Sequence, residues 1–156
     1  MNIRVGQGYD SHKMVEGIPF YVGGAFIESR LGSKGHSDGD CLLHAVIDSI
    51  LGALGKGDIG TWFPDNDPKY KGVRSTELLK AVLENDGLPR FKLINMDITL
   101  FLNKPKMSPH RDLIVKSLAE LLNCDMSQLN LKAKTLEGFS VDYLIAASVT
   151  SLIELK

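Results

Sequence analysis

Residues 93–102 read Leu93-Ile94-Asn95-Met96-Asp97-Ile98-Thr99-Leu100-Phe101-Leu102, and apolar and polar side chains alternate along them. Successive side chains of a strand project to opposite faces. Ile94, Met96, Ile98, Leu100 and Leu102 therefore share one face, and Asn95, Asp97 and Thr99 the other, as in a strand with one polar side. On both flanks the period changes. Upstream, Leu78, Leu79, Val82 and Leu83 recur at helical spacing, from Ser75 as N-cap to a stop near Asn85-Asp86-Gly87. Downstream, Ser108-Pro109 reads as an N-cap followed by proline at the first helical position, opening a helix with Leu113, Ile114, Leu118, Leu121 and Leu122.

Further out the same two periods recur. Leu42, Leu43, Val46, Ile47, Ile50, Leu51 and Leu54 form an apolar helix that Gly55 and Gly57 stop. Phe20-Tyr21-Val22 and Ala25-Phe26-Ile27 flank Gly23-Gly24, a two-residue hairpin signal. Leu129, Leu131 and Ala133 alternate with Asn130, Lys132 and Lys134. Val141 to Leu155 is rich in β-branched residues, and the Gly138 turn before it predicts a strand that closes a hairpin. The order predicts a two-layer α/β (α+β) fold, a βαβαββ-like core with a mixed sheet covered by helices on one face. Self-association is one way to cover the other face. No repeat or linker divides residues 1–156, so one domain is expected.

A net charge of −1 over 156 residues offers no field for nucleic acid or an anionic membrane. The apolar runs are too short for a membrane span, and Met1-Asn2-Ile3-Arg4-Val5-Gly6 has no signal-peptide core. Cys41 and Cys124 read as reduced core thiols, and a cytoplasmic location is expected. Gly6-x-Gly8 lacks the third glycine and the following helix of a dinucleotide fingerprint.

Polar residues gather in five places. Asp10 and His12 lie on one strand face and make a good pair of zinc ligands. In His36-Ser37-Asp38-Gly39-Asp40-Cys41-Leu42-Leu43-His44, the residues Asp40, His44 and Asp48 follow at i, i+4 and i+8, one polar stripe on an apolar helix. His44 can bind a metal through one nitrogen while a carboxylate one turn away, Asp48 among them, orients the other. The helix start beside Ser37 and His36 suits phosphate. Gly57-Asp58-Ile59-Gly60-Thr61-Trp62-Phe63-Pro64-Asp65-Asn66-Asp67-Pro68 is a loop able to grip hydroxyl groups. Asn103-Lys104-Pro105-Lys106-Met107-Ser108-Pro109 and Lys132-Ala133-Lys134-Thr135-Leu136-Glu137-Gly138-Phe139 are strand exits. Each has a plain structural reading when taken alone.

Taken together, these segments resemble the 2-C-methyl-D-erythritol 2,4-cyclodiphosphate synthase family of isoprenoid biosynthesis. Gly8-Tyr9-Asp10-Ser11-His12, His36-Ser37-Asp38-Gly39-Asp40 with His44, Gly57-Asp58-Ile59-Gly60 with Phe63-Pro64-Asp65, Pro105-Lys106-Met107 and Lys132-Ala133-Lys134-Thr135-Leu136-Glu137 carry it, over nearly the whole chain. The resemblance implies a phosphorus–oxygen lyase acting on 4-diphosphocytidyl-2-C-methyl-D-erythritol 2-phosphate, whose 2-phosphate attacks the β-phosphate and expels CMP. It implies a homotrimer with each active site between two subunits. Asp10, His12 and His44 are then the ligands of one zinc per subunit. Glu137 helps hold a second divalent cation, Mg2+ or Mn2+, and His36 and Thr135 stabilise the transition state. Substrate contacts are implied for Asp10, Ser11, His12, His36 and Ser37. Asp58 and Gly60 are implied at the ribose, Ile59 as a further substrate contact, and Phe63, Pro64, Asp65, Asn66 and Asp67 at the methylerythritol. Leu102, Asn103, Lys104, Pro105, Lys106, Met107 and Ser108 would form the cytosine pocket, largely through backbone. Lys134, Thr135, Leu136, Glu137 and Phe139 complete the set.

The chain departs from the family pattern twice. Lys134-Thr135-Leu136 stands where a threonine run is usual, and Gly138-Phe139-Ser140-Val141-Asp142-Tyr143 lacks the usual arginine. Two rivals remain: a zinc-dependent phosphohydrolase built on the same three ligands, and a non-catalytic trimer that binds nucleotide.

Overall fold

The computed structural model describes residues 2–137 and 142–156. Its elements are β1 (Ile3–Glu16), β2 (Phe20–Val22), β3 (Ala25–Ile27), β4 (Leu31–Ser33), α1 (Cys41–Leu54), α2 (Ile59–Trp62), α3 (Ser75–Leu83), β5 (Phe91–Phe101), α4 (Arg111–Leu122), β6 (Leu129–Lys134) and β7 (Leu144–Leu155). Five strands form one sheet in the order β4-β1-β7-β5-β6, and β2 and β3 pair as a separate hairpin. All neighbours in the large sheet are antiparallel except β5 and β6, which α4 connects as a parallel pair. The mixed sheet with helices on one face agrees with the sequence reading.

Two details of that reading need correction. β7 does not close a hairpin with β6; it lies between β1 and β5. Length explains the choice. β7 has 12 residues, matched to the 14 of β1 and the 11 of β5, whereas β6 has 6. Its inward residues Ile145, Ala147, Val149 and Ile153 are buried, as a central strand requires. The second correction concerns β5. Its register steps from Leu93 opposite Ile153 to Asn95 opposite Leu152, so Ile94 is the extra residue of a bulge. Leu93 is therefore buried with Met96, Ile98 and Leu100, while Ile94 is only half-buried. Gly138 and Val141, named in the turn and strand reading, lie outside the described residues.

Helix α1 lies on the inner face of the sheet, with α3 and the β2–β3 hairpin packed around it. Leu42, Leu43, Val46, Ile47, Ile50 and Leu51 are fully buried. Gly55 ends the helix in the left-handed conformation, φ 66°. The approach of α1 to β1 is unusually close. A Cβ added to Gly6 would sit 1.8 Å from the Ser49 carbonyl oxygen, and one added to Gly8 1.8 Å from that of Ala45. The Gly6-x-Gly8 pair is thus the seat of the helix on the strand.

Asp40 corrects the idea of a single polar stripe. It is fully buried and caps α1, accepting from the Leu43 amide at 3.0 Å. The same carboxylate accepts from the Gly23 amide at 2.9 Å and the Gly24 amide at 2.7 Å, so it also holds the β2–β3 turn. Burial pushes its pKa up, and these three donors work against that rise. Asp40→Ala should strip the helix cap and leave two amides of the hairpin turn unpaired. A loss of roughly 3–5 kcal/mol is expected. Equilibrium denaturation measures it, and a change below about 1 kcal/mol would contradict this account of the carboxylate.

Candidate metal centre and active site

The site begins with the seat of α1 on β1. Gly8 brings the helix against the strand, Asp10 and His12 follow on the inner side of β1, and His44 faces them from the first turns of α1. Three ligand atoms converge. Asp10 Oδ2 lies 2.7 Å from His12 Nε2 and 3.0 Å from His44 Nδ1, and the two ring nitrogens are 3.1 Å apart. Burial pushes the Asp10 carboxyl up, yet hydrogen bonds and charge from His12 and His44 win and hold it well below the usual carboxylate range. Burial pushes His12 down, and the Asp10 hydrogen bond and charge outweigh it, so His12 keeps its proton to higher pH than a free imidazole.

The arrangement fits a zinc ion. Two imidazole nitrogens and one carboxylate oxygen make a common three-ligand set with an open fourth position. The remaining nitrogen of each histidine is already engaged, as metal-bound histidines require. His12 Nδ1 faces the Lys34 carbonyl at 3.0 Å. His44 Nε2 faces Ser37 Oγ at 2.9 Å and Ser75 Oγ at 3.0 Å. Asp48, expected to orient His44, does not: its carboxylate accepts from the Ile59 amide at 2.7 Å and so positions the start of α2. Burial raises its pKa, partly offset by that bond.

The triad opens into a cavity of about 150 Å³. Asp10, His12, His36, Ser37 and His44 line one part, and Ile59, Phe63, Asp65, Tyr70 and Leu78 the rest. Two of the proposed loops therefore meet around one space. The loop after α2 wraps His36: its Nε2 lies 3.4 Å from the Asp67 carbonyl, and its own carbonyl accepts from the Gly72 amide at 2.9 Å. Phe63 packs edge-on against Tyr70 with ring centroids 5.2 Å apart. Asp58 caps α2, taking the Thr61 amide and hydroxyl at 2.8 Å each, and these bonds lower its pKa. Asp67 caps the turn Pro68–Tyr70 through the Lys69 amide. Ser11, Gly60, Asn66 and Asp58 are exposed, and Pro64 is half-buried.

The remaining candidates form a second group. None of residues 102–108 or 134–137 lines the cavity with the triad. They meet one another instead: Leu102 donates its amide to the Lys134 carbonyl at 3.1 Å, and Asn103 Oδ1 accepts from the Leu136 amide at 2.8 Å. Thr135 donates to Glu137 at 2.9 Å. Lys104 pairs with Asp142 at 3.3 Å. Lys104, Lys106, Ser108, Lys134, Thr135 and Glu137 are exposed, and Pro105 and Leu136 half-buried. Leu102 and Met107 are in the core, at 4% and 3% exposure, so only their backbone is offered to a ligand. Phe139 lies outside the described residues.

Sequence reasoning missed Tyr70, Leu78 and, above all, Ser75 and Asp38. Ser75 reads as an N-cap, but α3 has Arg74 in that position and no side-chain cap. The Ser75 hydroxyl donates to the Asp38 carboxylate instead. Ser108 likewise caps nothing; it starts a short 3-10 turn, Ser108–His110, that runs into α4. The spacing of Asp38 to Ser75 gives no sequence signal, because the pair is 37 residues apart.

A model of the YgbB family matches residues 3–154. The chain belongs to that family. Among YgbB-family relatives, the 2-C-methyl-D-erythritol 2,4-cyclodiphosphate synthase of Koribacter versatilis is 44% identical over 152 residues, 97% of this chain and 98% of the relative. That of Clostridium acetobutylicum is 50% identical, covering 87% of this chain and 88% of the relative. A solved 2C-methyl-D-erythritol-2,4-cyclodiphosphate synthase in a CDP-bound form superposes with a TM-score of 0.86 at 40% identity, covering 97% of this chain and 100% of that one. The CDP complex of IspF from Plasmodium falciparum gives 0.80 at 35% identity, covering 99% and 97%. None of the described helices is long and apolar enough to cross a membrane, and Cys41 and Cys124 are free thiols.

Proposed function

We propose that this YgbB-family chain converts 4-diphosphocytidyl-2-C-methyl-D-erythritol 2-phosphate to 2-C-methyl-D-erythritol 2,4-cyclodiphosphate and CMP. The observation that carries the reading is the convergence of Asp10, His12 and His44 at the wall of a cavity shared with His36 and Ser37. The 2-phosphate oxygen forms a bond to the β-phosphorus while the bond from that phosphorus to the CMP oxygen breaks. An intramolecular attack needs the two phosphates held in line and their charge matched by donors. Zinc bound by Asp10, His12 and His44 supplies a Lewis acid and a template for the diphosphate. Ser37 and His36 then offer a hydroxyl and an imidazole to phosphate oxygens on the same wall. Asp65 and Phe63 line the cavity where the methylerythritol would lie. Glu137 and Thr135 serve a second divalent cation, Mg2+ or Mn2+, and the transition state.

That last assignment needs a second subunit, since Thr135 and Glu137 do not line the cavity with the triad. A homotrimer supplies it, and the outer face of the sheet supports one. Ile3, Val5 and Tyr9 on β1 are 41%, 66% and 61% exposed, an apolar patch with none of the described helices over it. The direct test is incubation with the cytidine substrate, zinc and magnesium. CMP and cyclic diphosphate are expected in equal amounts; a linear phosphate product overturns the reading in favour of a hydrolase.

Shared sites make a further expectation. His44→Ala damages one side of a site, and Thr135→Ala the other side of the neighbouring site. Each variant alone should be nearly inactive. Random mixing of the two in a ring that closes on itself should leave about one site in four intact. Denaturing and refolding the variants together should therefore recover about a quarter of wild-type turnover. No recovery, with trimers formed, places both residues in one subunit's site.

A further inference from the structure

We propose that Asp38, acting through Ser75, is a positioning group that fixes which nitrogen of His44 faces the metal. The proposal rests on the reading that Asp10, His12 and His44 hold a metal ion. It follows from counting protons along a buried chain of polar groups. Asp38 is a carboxylate with only 6% of its side chain exposed, and it can only accept. Ser75 is fully buried and its hydroxyl bonds to Asp38 Oδ1, so the serine proton is committed to that oxygen. The lone pairs of Ser75 Oγ are what remain for His44 Nε2, 3.0 Å away. A lone pair is met by a proton, so Nε2 carries the hydrogen. Nδ1, the nitrogen that faces Asp10 in the metal-free chain, then turns its lone pair to the metal when one is bound.

Arg74 holds the relay in this direction. Its Nε donates to Asp38 Oδ2 at 2.8 Å, its guanidinium lies 3.8 Å over the Tyr21 ring, and a terminal nitrogen reaches the Gly24 carbonyl at 3.3 Å. Arginine has donors only, so an oxygen must face it. This makes Asp38→Asn a sharp probe. The amide oxygen must turn to Arg74, which leaves the amide NH2 facing Ser75. Ser75 then accepts from Asn and turns its proton toward His44 Nε2, which favours the imidazole tautomer with hydrogen on Nδ1. That hydrogen stands where the metal must bind. Ser75→Ala is milder, since Ser37 Oγ at 2.9 Å still accepts from Nε2.

The test is zinc affinity by competition with a chelator of known strength, on folded full-length protein, with thermal melting of the metal-free forms alongside. Groups that orient a metal-bound histidine are worth about 10–100-fold in affinity. Ser75→Ala should weaken zinc binding about 10-fold and Asp38→Asn nearer 100-fold. In the zinc-loaded wild type the His44 Nε2 proton should be observable by NMR and slow to exchange, and fast to exchange in Ser75→Ala. A merely structural role predicts the reverse pattern: melting temperatures fall and the zinc affinity of the folded fraction stays at the wild-type value. That pattern, or wild-type affinity in both variants, overturns the proposal, and Ser75→Ala decides alone should Asp38→Asn fail to fold. A wild-type chain that binds no zinc removes the metal reading and this inference together. Tight wild-type binding with unaffected variants removes only the inference.

Discussion

His44→Ala should lose bound zinc and lower turnover by at least about 10³-fold while the chain stays folded. The reason lies in what each atom of His44 touches. Its ring is on α1, but it spends its contacts on polar partners: Asp10 and His12 through Nδ1, Ser37 and Ser75 through Nε2. Removing the ring leaves those partners satisfied by one another, because Ser37 and Ser75 remain 3.2 Å apart and Ser75 remains bound to Asp38. No buried donor is orphaned, so the cost to stability should stay near 1 kcal/mol. The neighbouring Leu43 is the contrast. It is fully buried among apolar side chains, and Leu43→Ala should cost roughly 2–5 kcal/mol with the ligand set unchanged. Elemental analysis and denaturation separate the two. Full zinc occupancy in His44→Ala removes the triad from the metal site.

Acid should release zinc from the wild type for a related reason. Asp10 holds the His12 proton beyond the range of a free imidazole, so a metal must displace that proton to bind Nε2. The raised pKa means the proton competes from higher pH downward. Affinity should therefore fall as pH drops through the neutral and mildly acid range.

The grouping of the three candidate ligands was legible in part because strand and helix periods act locally. Asp10 and His12 share a face by the two-residue repeat, and His44 stands in an otherwise apolar helix. Their meeting was implied by the resemblance, and the structure provides its physical cause in Gly6 and Gly8. What escaped the sequence depends on the direction of a single hydroxyl or carboxylate. Asp40 and Asp48 keep the i, i+4, i+8 spacing with His44, yet Asp40 caps α1 and holds a hairpin turn, and Asp48 accepts from the Ile59 amide at the start of α2. Periodicity assigns a face, and a face holds several acceptors within reach of several donors. β7 was misplaced for a different reason. Strand pairing is non-local, and nothing in residues 144–155 says which long strands they will join.

Gly8→Ala should be among the most damaging single substitutions in the chain, although it adds only one methyl group. The new Cβ would lie 1.8 Å from the Ala45 carbonyl oxygen and 2.8 Å from the Ser49 amide nitrogen, both backbone atoms of α1. A flexible side chain could swing away; a helix backbone must retreat as a unit. Overpacking of this kind costs about 1–3 kcal/mol or more, and the rigid partner places Gly8→Ala at or beyond the upper end. The retreat also reaches the chemistry. Ala45 follows His44 directly, and Gly8 precedes Asp10 by two residues, so the displaced pair of backbones carries the ligands apart. A misplacement of about 1 Å is enough for a loss near 10²-fold in turnover. Gly52→Ala is the matched control on the same helix. Its added Cβ would meet nothing closer than the Gln7 carbonyl oxygen at 3.6 Å, an ordinary contact. Replacing glycine by alanine inside a helix then gains about 0.5–1 kcal/mol. Thermal melts with zinc titrations on both variants should thus move in opposite directions for stability, with affinity lost in Gly8→Ala alone. Equal melting of Gly8→Ala and wild type would show that α1 is not seated on β1 in solution as described.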